Sequence, residues 1–174
     1  MQLMVIETPI GALNTLVDDE GKLVELHFDK KSAPDIQSPV EKQSAVGSRR
    51  SAVETSTETT TTTWPVAKQL AEYFSGKRTV FALDLAPRGT PFQLAVWNAL
   101  VEIPYGDTIS YAELARRIGK PSAVRAVGAA NGANPIPVII PCHRVIGSNG
   151  TLTGYGGGIE RKQWLLALEG RRLF

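Results

Sequence analysis

At 174 residues, 43% hydrophobic and 21% charged, the chain has the size and composition of one globular domain or two small ones in contact. One cysteine and two histidines exclude an internal disulfide and the usual four-ligand zinc site. With no long apolar run and no basic-then-apolar start, a cytoplasmic protein without metal or membrane span is expected, nucleoid-associated if prokaryotic. The net charge of +2 is unevenly placed, with 9 Lys/Arg against 12 Asp/Glu in residues 1–85 and 10 against 5 in residues 86–174, which points either to an anionic partner for the second half or to a chance surface excess.

The first 28 residues read as an antiparallel meander. Strands are expected at Leu3–Glu7, Ala12–Val17 and Leu23–Phe28, separated by turn signals at Pro9-Ile10-Gly11 and Asp18–Gly21. His27, with no second histidine or acid at ligand spacing, reads as a strand-face residue. Residues 30–63 are polar and end in a threonine-rich run. Such a segment lacks the apolar content to offset the entropy of ordering, and a mobile insert is expected. Val66, Leu70, Tyr73 and Phe74 recur at helical spacing before Gly76, and Val80–Leu85 alternates as a strand would.

The second half reads as helical. Thr90-Pro91 opens a helix whose apolar face is Phe92, Val96, Ala99 and Leu100, and Pro104-Tyr105-Gly106 ends it. Ser110 with Glu113 forms a capping-box pattern for a second helix, its stripe being Ala112, Leu114, Ala115 and Ile118. After Gly119-Lys120-Pro121, Ser122 is expected to cap a third helix from Ala123 to about Ala130, with small residues at Ala126, Gly128, Ala129 and Ala130. Helix, short glycine turn and helix make the helix-turn-helix pattern, which many helical hairpins share without touching DNA. Arg116, Arg117, Lys120 and Arg125 gather charge around it, and the third helix is slim enough to enter a groove.

The stretch Asn134-Pro135-Ile136-Pro137-Val138-Ile139-Ile140-Pro141-Cys142-His143-Arg144 holds the only cysteine. A lone cysteine is commonly a small buried hydrophobe. Neighbouring His143 and Arg144 point instead to a thiolate nucleophile. Adjacent side chains diverge, so a bridging water between thiol and imidazole suits the geometry better than direct contact. Downstream, Gly154-Tyr155-Gly156-Gly157-Gly158 lacks the Lys-Ser/Thr of a phosphate loop. Its glycines let backbone approach a flat ligand. A terminal helix is expected over Glu160–Leu168.

Pro141-Cys142-His143-Arg144-Val145-Ile146, with Asn134-Pro135 before it and Gly154-Tyr155-Gly156-Gly157 after it, resembles the O6-alkylguanine-DNA alkyltransferases. The likeness continues through Thr90-Pro91-Phe92-Gln93, Ile103-Pro104-Tyr105-Gly106, Ser110-Tyr111 and Arg125-Ala126-Val127-Gly128. It is dense over about residues 88–170 and looser before them.

The resemblance implies an α+β chain: an N-terminal α/β domain over 1–86, carrying the insert at 30–63, then a mostly helical DNA-binding and alkyl-transfer domain over 87–174. It implies a single-turnover repair protein acting on double-stranded DNA that carries O6-alkylguanine, with O4-alkylthymine as a second candidate. A monomer without cofactor is expected. Cys142 stands where the alkyl acceptor stands, His143 where the residue that deprotonates it through water stands, and Glu169 where the acid holding the imidazole stands. Without the resemblance, Glu169 reads as a solvated helix end.

Tyr111 matches the hydroxyl donor to guanine N3. Asn134 matches the hinge to the active-site strand, and Tyr155 with Gly156 matches the pocket-lining loop. Arg125 matches the side chain that enters the base stack as the damaged base is extruded. Ser110, Ala126 and Ala129 complete the DNA-facing set, and Arg88 and Arg144 are phosphate-side or structural candidates. A zinc site found in some relatives and a cysteine-rich regulatory domain found in others have no counterpart here. Two rivals stay open: a non-enzymatic helix-turn-helix regulator with Cys142 in its core, and a cysteine hydrolase.

Overall fold

The computed structural model describes residues 1–29 and 64–170. The expectation of a mobile insert at 30–63 therefore falls wholly outside the described residues. Strands β1 (Gln2–Ile6), β2 (Leu13–Val17) and β3 (Leu23–Phe28) form an antiparallel sheet in that order, with Leu3 opposite Leu16 and Thr15 opposite Leu26. Alternation decides its faces: Leu13, Thr15 and Val17 are buried while Leu3 and Val5 point outward. His27 is on the exposed side, where its Nε2 lies 3.2 Å from Glu25 Oε2. The acid is two residues back on the same face, a pairing the sequence reading passed over.

Helix α1 (Pro65–Phe74) buries Val66, Gln69, Leu70 and Tyr73. The strand expected over Val80–Leu85 does not form; among the described residues only Leu85 bridges to β3, at Leu23. The reason is Gln69. Its Nε2 donates to Ala82 O at 2.8 Å and its Oε1 accepts from Ala82 N at 2.7 Å, so a side chain takes the place of a neighbouring strand. Val80 is left 72% exposed.

The second half holds α2 (Pro91–Val101), α3 (Tyr111–Arg117), α4 (Val124–Gly132) and α5 (Ile159–Leu168). Thr90 makes a complete capping box with Gln93 at the start of α2. At α3, Ser110 accepts from Glu113 N, but the Glu113 carboxylate goes to Arg116 and Arg117 instead of returning to the cap. Ala112 is exposed, so the buried stripe of α3 is Leu114 and Ala115. Ser122 caps nothing; α4 begins after Ala123 without a side-chain cap. Helices α3 and α4 pack on α2, where Trp97 Nε1 donates to Ala130 O at 2.9 Å.

One apolar cluster runs through both halves, from Leu13, Leu26 and Leu70 to Trp97, Leu114, Ile140 and Leu165. The free edge of β3 is used to join them: Leu26 N donates to Pro135 O at 2.8 Å. No helix among the described residues is long and apolar enough to cross a membrane.

Replacing Gln69 with leucine keeps the volume but leaves the Ala82 amide and carbonyl without their partners. We expect Gln69→Leu to lower stability by about 1–3 kcal/mol, read from the urea unfolding midpoint; an unchanged midpoint would mean that the 78–85 segment contributes nothing to the fold.

Candidate active site

Cys142 begins a 3-10 turn, Cys142–Arg144, that leads into β5 (Val145–Ile146). β5 pairs in parallel with β4 (Ile109–Ser110), so the turn is pinned beside the start of α3. The buried run ahead of it, Val138–Ile140, forms no strand. Pro137 and Pro141 cannot donate to a ladder, and Val138 lies at φ 75°, a left-handed conformation rare for a β-branched residue. Asn134 ties this segment together instead: its Nδ2 donates to Ile140 O at 2.7 Å and its Oδ1 accepts from Ile136 N at 3.0 Å.

The Cys142 residue is 5% exposed and lines a cavity of about 650 Å³. Asn131, Asn134, Tyr155, Gly156 and Gly157 line it together with Glu25, His27 and Phe28 of β3. The glycine-rich loop reaches β3 closely. A Cβ on Gly157 would stand 2.7 Å from the Phe28 ring and 2.8 Å from that of Tyr155, so a side chain there would push the loop away from the sheet. Arg161, over the Phe28 ring at 4.6 Å, donates to Ile10 O and Gly157 O and fixes the same junction.

Behind the thiol lies a buried polar cluster. His143 Nε2 is 3.0 Å from Glu169 Oε1. A carboxylate only accepts, so Nε2 carries the proton and Nδ1 is left as the lone-pair nitrogen; that Nδ1 is buried with no partner among the described residues. Glu169 is no solvated helix end: it is 5% exposed. Arg144 Nε donates to its Oε2 at 2.9 Å and Nη2 to its Oε1 at 2.8 Å, Tyr73 Oη donates to Oε1 at 2.6 Å, and Gly106 N donates to Oε2 at 3.3 Å. Arg144 is thus internal and paired, with Nη1 on Ile103 O, and does not face phosphate.

Burial, the largest single influence on Glu169, opposes ionisation. The hydrogen bonds and charges of His143 and Arg144 together outweigh it and hold the carboxyl at about 2. Burial pulls His143 below its ordinary value, opposed by Glu169 and reinforced by Arg144 and Lys162. Burial likewise pushes the Cys142 thiol up to about 11, while the Asn134 amide and the Lys162 ammonium pull it down.

The cation acting on the thiol is therefore not the adjacent Arg144, whose charge is matched by Glu169. It is Lys162 of α5, which sequence reasoning missed. Lys162 is 0% exposed, donates to Val145 O at 2.6 Å and Thr153 O at 3.0 Å, and is drawn down by burial to about 8. The available signal was its place three and four residues before Leu165 and Leu166, on the side of α5 that those two leucines occupy.

Tyr111 Oη donates to Thr153 O at 3.1 Å, and its ring faces Gly128 of α4. The Tyr155 hydroxyl and Asn131 Oδ1 are buried without a partner among the described residues. Ser110 is half-buried, with its hydroxyl engaged as the α3 cap. Arg125, Ala126 and Ala129 share the exposed face of α4 and stand apart from the thiol cluster, and Arg88 is exposed. No group of three metal-ligating side chains occurs among the described residues.

Two family models match: 6-O-methylguanine DNA methyltransferase, ribonuclease-like domain, over residues 1–87, and 6-O-methylguanine DNA methyltransferase, DNA binding domain, over residues 91–171. The chain belongs to the 6-O-methylguanine DNA methyltransferase family. A methylated-DNA–protein-cysteine methyltransferase of Methanosarcina acetivorans is 46% identical over 171 residues, covering 98% of this chain and 99% of the relative. One from Methanosarcina barkeri is 62% identical over 107 residues, 62% of this chain and 68% of its own. Among solved structures, Mycobacterium tuberculosis OGT in complex with DNA aligns with TM-score 0.76 at 41% identity, over 97% of this chain and 92% of that one. The small antiparallel sheet followed by a helical half is thus the fold of this methyltransferase family.

Glu169 neutralises a buried guanidinium, so Glu169→Gln should cost about 3–5 kcal/mol at neutral pH by leaving Arg144 uncompensated, measured by chemical denaturation. Because the folded carboxyl sits below its ordinary value near 4.5, its stabilisation is complete above that value and is lost as pH falls toward about 2. A variant as stable as wild type at neutral pH, or one with the same acid sensitivity over that window, would contradict this account of the cluster.

Proposed function

We propose that this chain carries out direct-reversal DNA repair by taking the alkyl group of O6-alkylguanine onto Cys142 in a single turnover. Methyl transfer to a protein cysteine is the activity of the family, and DNA is the partner. The observation that carries the reading to Cys142 is a cavity-lining thiol backed by a buried His143–Glu169–Arg144 cluster. The division of labour follows the chain: residues 1–86 supply one cavity wall and a support for the cluster, and residues 87–174 supply the nucleophile and the DNA-facing helices.

In this mechanism the thiol proton passes to His143 Nδ1, directly or through a water, and the new imidazolium is held by Glu169 through Nε2. Lys162 and Asn134 stabilise the forming thiolate. Sulfur attacks the alkyl carbon, the S–C bond forms as the C–O6 bond breaks, and the electron pair leaves on guanine. The departing base needs donors. Tyr111 supplies its hydroxyl to N3, and the loop at Tyr155 and Gly156 offers backbone amides toward O6. The thioether is stable, so Cys142 is consumed.

The target atom is inaccessible within a duplex, so the base is extruded, and Arg125 fills the space that it leaves. Ser110, at the start of α3, lines the approach with Ala126 and Ala129, and the small side chains of the two alanines let the α4 backbone come close to the minor groove. The protein works as a monomer on duplex DNA.

Incubation with O6-benzylguanine should give one stable adduct on the intact mass, absent from Cys142→Ala. An adduct retained by that variant would move the acceptor elsewhere, and continuing release of product would indicate a hydrolase. Arg125→Ala should slow transfer from duplex DNA by about 1–3 kcal/mol, while transfer from the free base stays near wild type. Equal slowing on both substrates would assign Arg125 to the fold or pocket.

A further inference from the structure

Tyr73 lies on α1, in the half of the chain that carries none of the proposed reacting groups. It is nevertheless bonded to the centre of the polar cluster. Its hydroxyl donates to Glu169 Oε1 at 2.6 Å, the same oxygen that lies 3.0 Å from His143 Nε2 and accepts Arg144 Nη2 at 2.8 Å. The ring is 0% exposed and held by aromatic neighbours from α1 and from two connecting segments, with Phe74, Phe81 and Tyr105 at 5.4, 5.2 and 6.0 Å between centroids.

The carboxylate cannot turn away from this arrangement, since Arg144 Nε and Gly106 N fix Oε2. Donors that share one oxygen compete for its electron density. A short bond from Tyr73 therefore weakens what Oε1 gives to the imidazole.

We propose that Tyr73 is a positioning residue for alkyl transfer: by sharing Glu169 Oε1 with His143, its hydroxyl sets how readily the imidazole holds a proton. This rests on the reading in which His143 takes the proton of Cys142. The groups that act on His143 are Glu169, Arg144 and Lys162, with the Cys142 thiol adjacent in the chain. Besides His143 and Arg144, the groups facing Glu169 from other parts of the chain are Tyr73, Tyr105 and Tyr155. Tyr105 directs its hydroxyl to Leu168 O at 3.1 Å, and the Tyr155 hydroxyl bonds to nothing among the described residues. Neither duplicates the Tyr73 contact. Burial and the facing Glu169 keep the Tyr73 phenol protonated far above neutrality, so it donates throughout the working range.

The sign follows from the competition. Without the hydroxyl, Oε1 becomes a better acceptor, the imidazolium is favoured, and His143 is a free base only at higher pH. The measurement is the single-turnover rate of benzyl transfer by the full chain between about pH 5 and 9, with the ring-nitrogen resonances of His143 followed in parallel. In Tyr73→Phe the acid limb and the His143 titration should move up together by about half to one pH unit, slowing transfer on that limb by about 3- to 10-fold. The alkaline plateau should stay within about threefold of wild type.

Tyr105→Phe removes a hydroxyl from the same aromatic group without touching Glu169 and should leave the limb in place. An unmoved limb in Tyr73→Phe, or an equal movement in Tyr105→Phe, overturns the inference. Tyr73→Met, which fills the space without a hydroxyl, carries the same expectation, and if neither variant folds the hydroxyl is structural and the inference falls. Should the wild type form no adduct, the reading of function fails, and the His143 titration alone then decides the effect of Tyr73.

Discussion

A single buried carboxylate organises this molecule. Glu169 closes α5 and accepts from Tyr73 on α1, Gly106 after α2, and His143 and Arg144 in the turn that holds the cysteine. An isolated carboxylate in such a place would protonate sooner than stay charged. The Arg144 guanidinium prevents that by meeting it with a two-pronged contact. Burial, reinforced by the Arg144 and Lys162 charges, outweighs the pull of that carboxylate, so His143, though bonded to it, is not driven toward the imidazolium form. The cluster is a fixed dipolar clamp whose members come from distant parts of the chain.

That clamp also explains which parts of the molecule could be read from sequence. Signals carried by neighbours within one turn of chain were legible: the Thr90-Pro91 start with Gln93, the Ser110 cap, and the alternation of β2 and β3 all describe short-range physics. The motif around Cys142 was legible by resemblance, and it brought Glu169 with it although nothing local distinguishes that residue from a surface acid. The failures have a common cause. Val80–Leu85 alternates like a strand, but Gln69, 13 residues away from Ala82, occupies the backbone groups that a partner strand would need. Tyr73 looked like one more apolar position on α1, because its partner lies 96 residues on. Lys162 looked like an ordinary helix charge. Ser122 had the right side chain for a cap, yet the chain turns into α4 one residue later.

The two halves are joined where the chemistry is proposed to occur. β3 bonds to Pro135, packs Phe28 against the glycine-rich loop, and lines the cavity that Cys142 also lines. The first half of the chain is therefore part of the pocket and not a separate attachment. Changes in β3 are changes to the site even though they are more than 100 residues from the cysteine in sequence.

The exposed face of α4 offers almost nothing that can read a base. Beside Arg125 it presents Ala126, Ala129, Gly132 and Ala133, which have neither donors nor acceptors beyond the backbone. Base identity is discriminated by hydrogen-bonding side chains set against groove edges, and contacts to backbone carry no such information. Set in the groove as proposed, a helix of this kind would settle against any stretch of duplex with nearly equal ease. Selection would then be deferred to the pocket, and a damaged base would be found by passing over undamaged ones without being held by their sequence.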